Sequence, residues 1–174
     1  MAVPRFIQAI DDAVDAAFDP IRTPAMDHVA YALGSACDHS ILWHAIGGVR
    51  YLANGNERDW LRLAGALTIE SGLTNGVVKS MFKRVRPRVH PKGTKLPHGM
   101  RVPITTSFPS GHAAAAFCAA AILSDDTDTN AWYGLATVIC VTRVYTKMHH
   151  ASDVAAGAAW GYLLGRVLRV ALPR

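Results

Sequence analysis

The stretch Ser107–Phe117, SFPSGHAAAAF, joins a helix-start signal directly to a run of four alanines. Ser110 is a typical N-cap residue, and alanine is the strongest helix former. Gly111 and His112 fall in the first turn, where free backbone N–H groups and the helix dipole attract anions. The stretch therefore predicts a buried helix with small side chains whose start can bind an anion.

Helical patterns also account for nearly all of the remaining chain. A length of 174 residues suits one domain with a sizeable core, and no stretch of useful length alternates like a β-strand. We predict an all-α helical bundle that forms a single domain over residues 1–174. The predicted helices cover residues 1–20, 27–52 (interrupted at Asp38 and His39), 60–81, 112–123, 130–148 and 152–172, and the polar segment 82–107 is a long loop.

Small residues recur in the last two predicted helices. Gly134 lies in one of them, and Gly157, Gly161 and Gly165 follow each other in the other. Such residues let helix backbones pack closely, as in membrane bundles.

The composition favours a membrane protein. Hydrophobic residues make up 51% of the chain and charged residues 18%, which is more apolar than an average soluble domain. The charge-free helical runs, such as 130–142 and 154–165, are shorter than the roughly 20 apolar residues of a simple span. We predict a polytopic membrane protein with about five to six membrane-embedded helices and an N-terminal amphipathic helix.

The arginines predict its orientation. Arg50, Arg58 and Arg62 form one cluster, and Arg166, Arg169 and Arg174 form another. If both clusters are cytoplasmic, the loop 82–107 lies on the outer face.

The first 20 residues predict an amphipathic helix on the membrane surface, because their apolar residues recur at helical spacing. An ordinary helix of a soluble protein fits that pattern equally well. Four aspartates and the lack of an apolar central region exclude a secretory signal. The apolar positions are Phe6, Ile7, Ile10, Val14 and Phe18.

The net charge of +5 favours a negatively charged partner, which could be a phosphate, a nucleic acid or an anionic lipid surface. The three cysteines show no metal-type spacing and are expected to be buried free thiols. His149, His150 and Asp153 resemble metal ligands only superficially, because adjacent histidines point in different directions on a helix. We predict no metal and no cofactor.

Three cations could neutralise a phosphate without a metal: Lys79, Arg86 and Arg143. Taken alone, Ser110 is only an N-cap and the basic run at 79–88 only a solvated loop. His149 and Asp153 are spaced i, i+4, so the carboxylate could fix one imidazole tautomer and leave the other nitrogen free as a nucleophile.

Together these residues form three blocks: Lys79-x6-Arg86-Pro87, Pro109-Ser110-Gly111-His112 and Arg143-x5-His149-x3-Asp153. The blocks resemble the signature of the type 2 phosphatidic acid phosphatase (PAP2) family, which includes bacterial acid phosphatases and vanadium haloperoxidases. They span residues 79–153. One position departs from the family pattern, because Thr142 stands where a serine usually precedes the arginine.

The resemblance implies a helical bundle with its site at one end and a metal-independent phosphatase. His149 would attack phosphorus and become phosphohistidine, and Asp153 would orient it. His112 would protonate the leaving oxygen and then activate water. The phosphoryl oxygens would be held by Lys79, Arg86, Ser110, Gly111 and Arg143.

The small chain resembles the bacterial membrane members of the family, which act on phosphatidic acid, phosphatidylglycerol phosphate, or polyprenyl phosphates and diphosphates. One subgroup acts on decaprenylphosphoryl phosphoribose, and a polyprenyl-type lipid phosphate is favoured here. The resemblance implies a multi-pass protein of a bacterial-type cell membrane with an extracytoplasmic site. We expect a lipid phosphate and the membrane as partners and no nucleic acid, and the oligomeric state stays open.

Three alternatives remain. A soluble acid phosphatase or a vanadate-dependent haloperoxidase of the same family would use the same anion site. A basic, non-enzymatic module that binds anionic lipid or nucleic acid would explain the basic loop, but would leave His112, His149 and Asp153 without a role.

Overall fold

A computed structural model describes residues 3–87, 96–99, 103 and 105–174. These residues form seven α-helices and contain no β-strand. The all-α prediction is therefore confirmed. The helices are α1 (Arg5–Phe18), α2 (Pro24–Ala36), α3 (Ile41–Asn54), α4 (Glu57–Ser71), α5 (Gly111–Thr127), α6 (Ala131–Tyr145) and α7 (Ala151–Ala171).

Two of the predicted helices are not continuous α-helices in the structure. The pattern over 27–52 is split between α2 and α3 by a turn at Asp38–Ser40, where His39 and Ser40 have φ angles of 52° and 61°. That left-handed conformation cannot continue an α-helix. The pattern over 60–81 is α-helical only to Ser71, and then widens into a π-helix over Gly72–Val77.

The helix α5 lies at the centre of the bundle, against α4, α6 and α7. Its alanines and its Ile122 and Leu123 are buried, as the alanine run predicted. Around it pack apolar side chains of the neighbouring helices, among them Trp43, Leu63 and Ile139.

The contact between α5 and α7 depends on three glycines. A Cβ atom built on Gly157 or Gly161 would run into the carbonyl oxygen of Ser110 or Ala114, and one on Gly165 would lie 2.6 Å from the Ala121 Cβ. The predicted close packing is confirmed at these positions. It is wrong for Gly134, which has open space where a Cβ would go.

Arg62 joins three helices at the end of the bundle where α5 and α7 terminate. Its side chain pairs with Asp126, lies 2.6 Å from Asp125 Oδ2, and donates to the Arg169 carbonyl at 2.8 Å. The predicted end of α5 at residue 123 is wrong, because α5 continues to Thr127 and its last turn carries the aspartates that pair with Arg62. Arg62, a member of the first predicted arginine cluster, is itself buried.

The helix α1 confirms the predicted N-terminal helix. Val14 and Phe18 pack on the bundle, whereas Phe6 and Ile10 are 68% and 56% exposed. Within residues 3–87, 96–99, 103 and 105–174, no helix has both the length and the apolarity of a membrane-crossing segment. The number of embedded helices stays a prediction.

Substituting alanine at Gly161 should lower the free energy of unfolding by about 1–3 kcal/mol, because the new methyl group must push α7 away from α5. The measurement is thermal unfolding of the purified protein in detergent. Gly134→Ala is the matched control and should raise stability by about 0.5–1 kcal/mol. Equal stability of the two variants would contradict the close contact.

Candidate active site

A cavity of about 620 Å³ opens at the end of the bundle where α5 and α7 begin. The residues that line it include six of the eight predicted site residues. The other two, Ser110 and Asp153, are fully buried and do not line it. The six are Lys79, Arg86, Gly111, His112, Arg143 and His149.

The second and third sequence blocks meet through the backbone. The Ser110 N–H donates to the Asp153 carbonyl at 3.0 Å, and Gly157 lets α7 approach the Ser110 carbonyl. The starts of α5 and α7 therefore lie side by side. This places the imidazoles of His112 and His149 on one cavity, although they are far apart in the sequence.

His149 is held in one tautomer. Its Nδ1–H donates to the Ser107 carbonyl at 2.7 Å, and Arg86 Nη1 lies 3.1 Å from Nε2. Because a guanidinium can only donate, Nε2 carries the lone pair and accepts from Arg86. Burial lowers the pKa of His149 to about 3, so the imidazole is neutral and nucleophilic near pH 7.

The contact between Asp153 and His149 differs from the expected one. Asp153 Oδ2 lies 3.8 Å from His149 Nδ1, which is too long for a hydrogen bond. The carboxylate instead accepts from the His150 backbone N–H at 2.9 Å and from Arg84 Nη1 at 2.7 Å. Ser107 thus fixes the tautomer, and Asp153 contributes a negative charge beside the ring.

The three predicted cations reach the cavity from three segments of the chain. Arg86 is oriented by the Met148 carbonyl at 2.7 Å and the Thr106 carbonyl at 3.3 Å. A Cβ on Gly111 would lie only 3.2 Å from Lys79 Nζ, so the ammonium sits directly at the start of α5. Burial lowers the pKa of Lys79 to about 8 and that of Arg86 to about 10, and both stay cationic near pH 7. Arg143 is 2% exposed.

His112 has a partner that the sequence analysis missed. Its Nε2 lies 3.0 Å from Asp38 Oδ1, and both side chains line the cavity. In the sequence, Asp38 is marked only by its charge, which interrupts the apolar pattern over 27–52.

A buried carboxylate on the cavity wall was also missed. Glu70 Oε1 accepts from Thr74 Oγ1 at 2.7 Å, and Thr74 in turn accepts from Trp160 Nε1 at 2.8 Å. Its charge inside an otherwise helical apolar pattern was the available signal.

The other histidines lie outside the predicted set. His150 caps α7, and its Nε2 lies 3.2 Å from the Val85 carbonyl. His98 pairs with His28 at 3.2 Å, while His90 lies outside the described residues. Among the residues that the structure describes, no three His, Cys, Asp or Glu side chains are grouped as metal ligands.

Comparison with known proteins assigns the family. Residues 59–174 match the PAP2 superfamily. This chain belongs to the PAP2 superfamily. The prediction from the three blocks is confirmed.

The relatives of this PAP2 protein include bacterial lipid phosphatases. It is 28% identical to the decaprenylphosphoryl-5-phosphoribose phosphatase of Mycobacterium tuberculosis over 166 residues, which cover 95% of this chain and 90% of that protein. It is 31% identical to the phosphatase of the same name from Mycolicibacterium smegmatis over 156 residues, covering 88% and 82%. The enzyme class, a phosphatase, is thereby confirmed, and the non-enzymatic alternative is dropped.

Two crystal structures share the fold. A transmembrane PAP2-type phosphatidylglycerolphosphate phosphatase from Bacillus subtilis superposes with a TM-score of 0.73 at 25% identity, covering 96% of this chain and 86% of that one. LpxE of Aquifex aeolicus superposes with a TM-score of 0.73 at 23% identity, covering 97% and 98%.

Two hydroxyls of the PAP2 blocks serve their own helices. Ser110 Oγ accepts from the Ala113 N–H at 3.4 Å, as an N-cap does. Thr142, at the position where the family pattern has serine, donates to the Ile139 carbonyl at 2.7 Å. Both hydroxyls are buried away from the cavity wall.

The helix α1 supports the site from behind. Asp11 is 2% exposed and accepts from the Ser152 N–H and hydroxyl, both at 2.8 Å. It also pairs with Arg84, which holds Asp153. An aspartate inside the apolar stripe between Ile7 and Val14 was the sequence signal for this contact.

Asp11→Ala should cost about 3–5 kcal/mol of unfolding free energy, because Arg84 loses one of its two buried carboxylates. Chemical denaturation with a helix-content readout measures the loss. The exposed neighbour provides the control, since Asp12→Ala should change stability by less than about 0.5 kcal/mol. A loss of similar size in both variants would refute the role of Asp11.

Proposed function

We propose that this PAP2 protein hydrolyses a lipid phosphate monoester or diphosphate through a phosphohistidine on His149, without a metal ion. The observation that carries this proposal is the convergence of two imidazoles and three cations on one cavity. Phosphoryl transfer needs positioning and charge neutralisation above all, and these groups supply both.

His149 is the proposed nucleophile. The Nε2 lone pair forms the bond to phosphorus while the bond from phosphorus to the leaving oxygen breaks. Nδ1–H stays bonded to the Ser107 carbonyl, and the Asp153 charge stabilises the ring as it becomes positive. Arg86 now donates to Nε2, so phosphate binding must draw this guanidinium onto a phosphoryl oxygen.

His112 is the proposed proton donor and acceptor. It gives a proton to the leaving oxygen in the first step. In the second step it takes a proton from water, whose oxygen bonds to phosphorus as the bond to His149 breaks. The phosphoryl oxygens are held by Lys79, Arg86, Arg143 and the backbone at Gly111, and Ser110 contributes by capping the helix that presents this backbone.

A lipid substrate is supported by the relatives and by the surface. The named relatives act on decaprenylphosphoryl-5-phosphoribose and on phosphatidylglycerolphosphate, and a polyprenyl-type lipid phosphate is the favoured substrate. Large apolar side chains are exposed on several helices of the bundle, as expected for a lipid-facing surface. Examples are Val49, Leu52, Val138, Leu163, Val167 and Val170.

The proposed placement is a bacterial-type cell membrane, multi-pass, with the cavity on the extracytoplasmic side. Arg58, Arg166 and Arg169 lie toward the end of the bundle opposite the cavity, where the positive-inside rule places them in the cytoplasm. Helices α2 and α3 precede the matched range, yet α2 packs on α6 and α3 on α4. This packing supports one PAP2-like domain over residues 1–174.

The test is phosphate release by purified protein in detergent with EDTA, across phosphatidic acid, phosphatidylglycerol phosphate and polyprenyl phosphates. His149→Ala should lower kcat/KM by about 10³-fold or more, because the nucleophile is lost. His44 lies in α3 and does not line the cavity, so His44→Ala is the matched control and should retain activity. Full activity of His149→Ala, or a strict requirement for added Mg²⁺, would refute the mechanism.

The pH profile tests the role of Lys79. Because burial and the nearby Arg86 lower its pKa to about 8, the ammonium loses its charge above that pH and kcat/KM should fall. Arginine stays protonated, so Lys79→Arg should move this fall to higher pH. If kcat/KM fell at the same alkaline pH in both proteins, the titrating group would not be Lys79.

A further inference from the structure

We propose that Asp38 is the positioning residue of His112, holding the imidazole in the orientation and tautomer that transfer the proton to the leaving group. The proposal rests on the proposed function, in which His112 is that proton donor. It adds a residue that lies outside all three sequence blocks and outside the matched range 59–174.

The contact is direct and joins distant parts of the chain. Asp38 Oδ1 lies 3.0 Å from His112 Nε2, across 74 residues of sequence. The side chains are 35% and 17% exposed, so the pair stands on the cavity wall and is shielded from bulk water on the imidazole side.

The turn that carries Asp38 is held in an unfavourable conformation. His39 and Ser40 have left-handed φ angles of 52° and 61°, a conformation that is unfavourable when the residue is not glycine. Such strain persists where the surrounding structure fixes it, and it is concentrated at functional sites. Here the Ser40 N–H donates to the Cys37 carbonyl at 3.1 Å, and the whole turn from Cys37 to Ser40 lines the cavity.

The partner determines which nitrogen can transfer a proton. Although partial burial opposes it, the hydrogen bond from His112 keeps the pKa of the Asp38 carboxyl below its usual value, so the group is an anion that only accepts. Nε2 therefore carries the hydrogen that faces Asp38. In the imidazolium form Nδ1 carries the second proton, which passes to the leaving oxygen. In the neutral form Nδ1 has the lone pair that takes a proton from water.

Asp38 also offsets the charges that disfavour a protonated His112. Burial, and then the charges of Arg143 and Lys79, disfavour the imidazolium form, whereas the hydrogen bond and the charge of the Asp38 carboxylate favour it. In the transfer, the electron pair of the breaking phosphorus–oxygen bond stays on the leaving oxygen, which takes the Nδ1 proton. His112 becomes neutral and recovers its proton from the attacking water.

Leaving-group dependence separates this role from a structural one. A p-nitrophenolate ion departs without a proton, whereas the alkoxide of a phosphatidic acid needs one. Comparison of kcat/KM for p-nitrophenyl phosphate and dioctanoyl phosphatidic acid reports the first phosphoryl transfer alone. The ratio of the two values does not depend on the fraction of folded protein.

We expect Asp38→Asn to lower kcat/KM for the phosphatidic acid by about 10–100-fold, part of the contribution of a general acid, and that for p-nitrophenyl phosphate by less than about threefold. His112→Ala should show the same pattern with a larger loss. Asp38→Glu should restore part of the ratio, because it keeps the carboxylate. Asp12→Asn, an exposed aspartate of α1, is the control and should match the wild type.

An unchanged substrate ratio in Asp38→Asn, with a changed ratio in His112→Ala, would overturn the role of Asp38. If Asp38→Glu restored no part of the wild-type ratio, this result would also count against a charge effect. Failure of the proposed function looks different, since the wild type would then release no phosphate from either substrate or His149→Ala would stay active.

Discussion

The backbones of α5 and α7 lie in contact, and the position of every group in the candidate site depends on this contact. Gly157 and Gly161 allow it, because any side chain there would collide with the carbonyls of Ser110 and Ala114. The hydrogen bond from Ser110 to the Asp153 carbonyl then fixes the two helix starts relative to each other. Since His112 lies in the first turn of α5 and His149 lies two residues before α7, both imidazoles reach the same cavity.

The charges around the cavity divide into two groups with different tasks. Lys79, Arg86 and Arg143 are desolvated cations, and a bound phosphate would compensate the cost of their burial. Two carboxylates stand beside the imidazoles: Asp153 beside His149 and Asp38 beside His112. This separation lets the cavity attract an anion while each imidazole keeps its own counter-charge.

The sequence predicted the helices and the convergence of the site well, and for physical reasons. Apolar periodicity and the alanine run report burial directly, and six of the predicted residues do line one cavity. It failed where a contact joins segments that are far apart in the chain. The Ser107 carbonyl, which takes the place expected for Asp153, has no side-chain signal, and the extension of α5 to Thr127 depends on Arg62 from another helix.

By itself, the sequence determined the helical class, the three blocks and the family, because these depend on local spacing and on residue types. Only the tertiary structure decided that Asp38 faces His112 and that Asp11 supports Arg84 and Asp153. Hydrogen bonds require distances near 3 Å and a defined direction. Such distances between residues far apart in the chain arise only when the helices have packed.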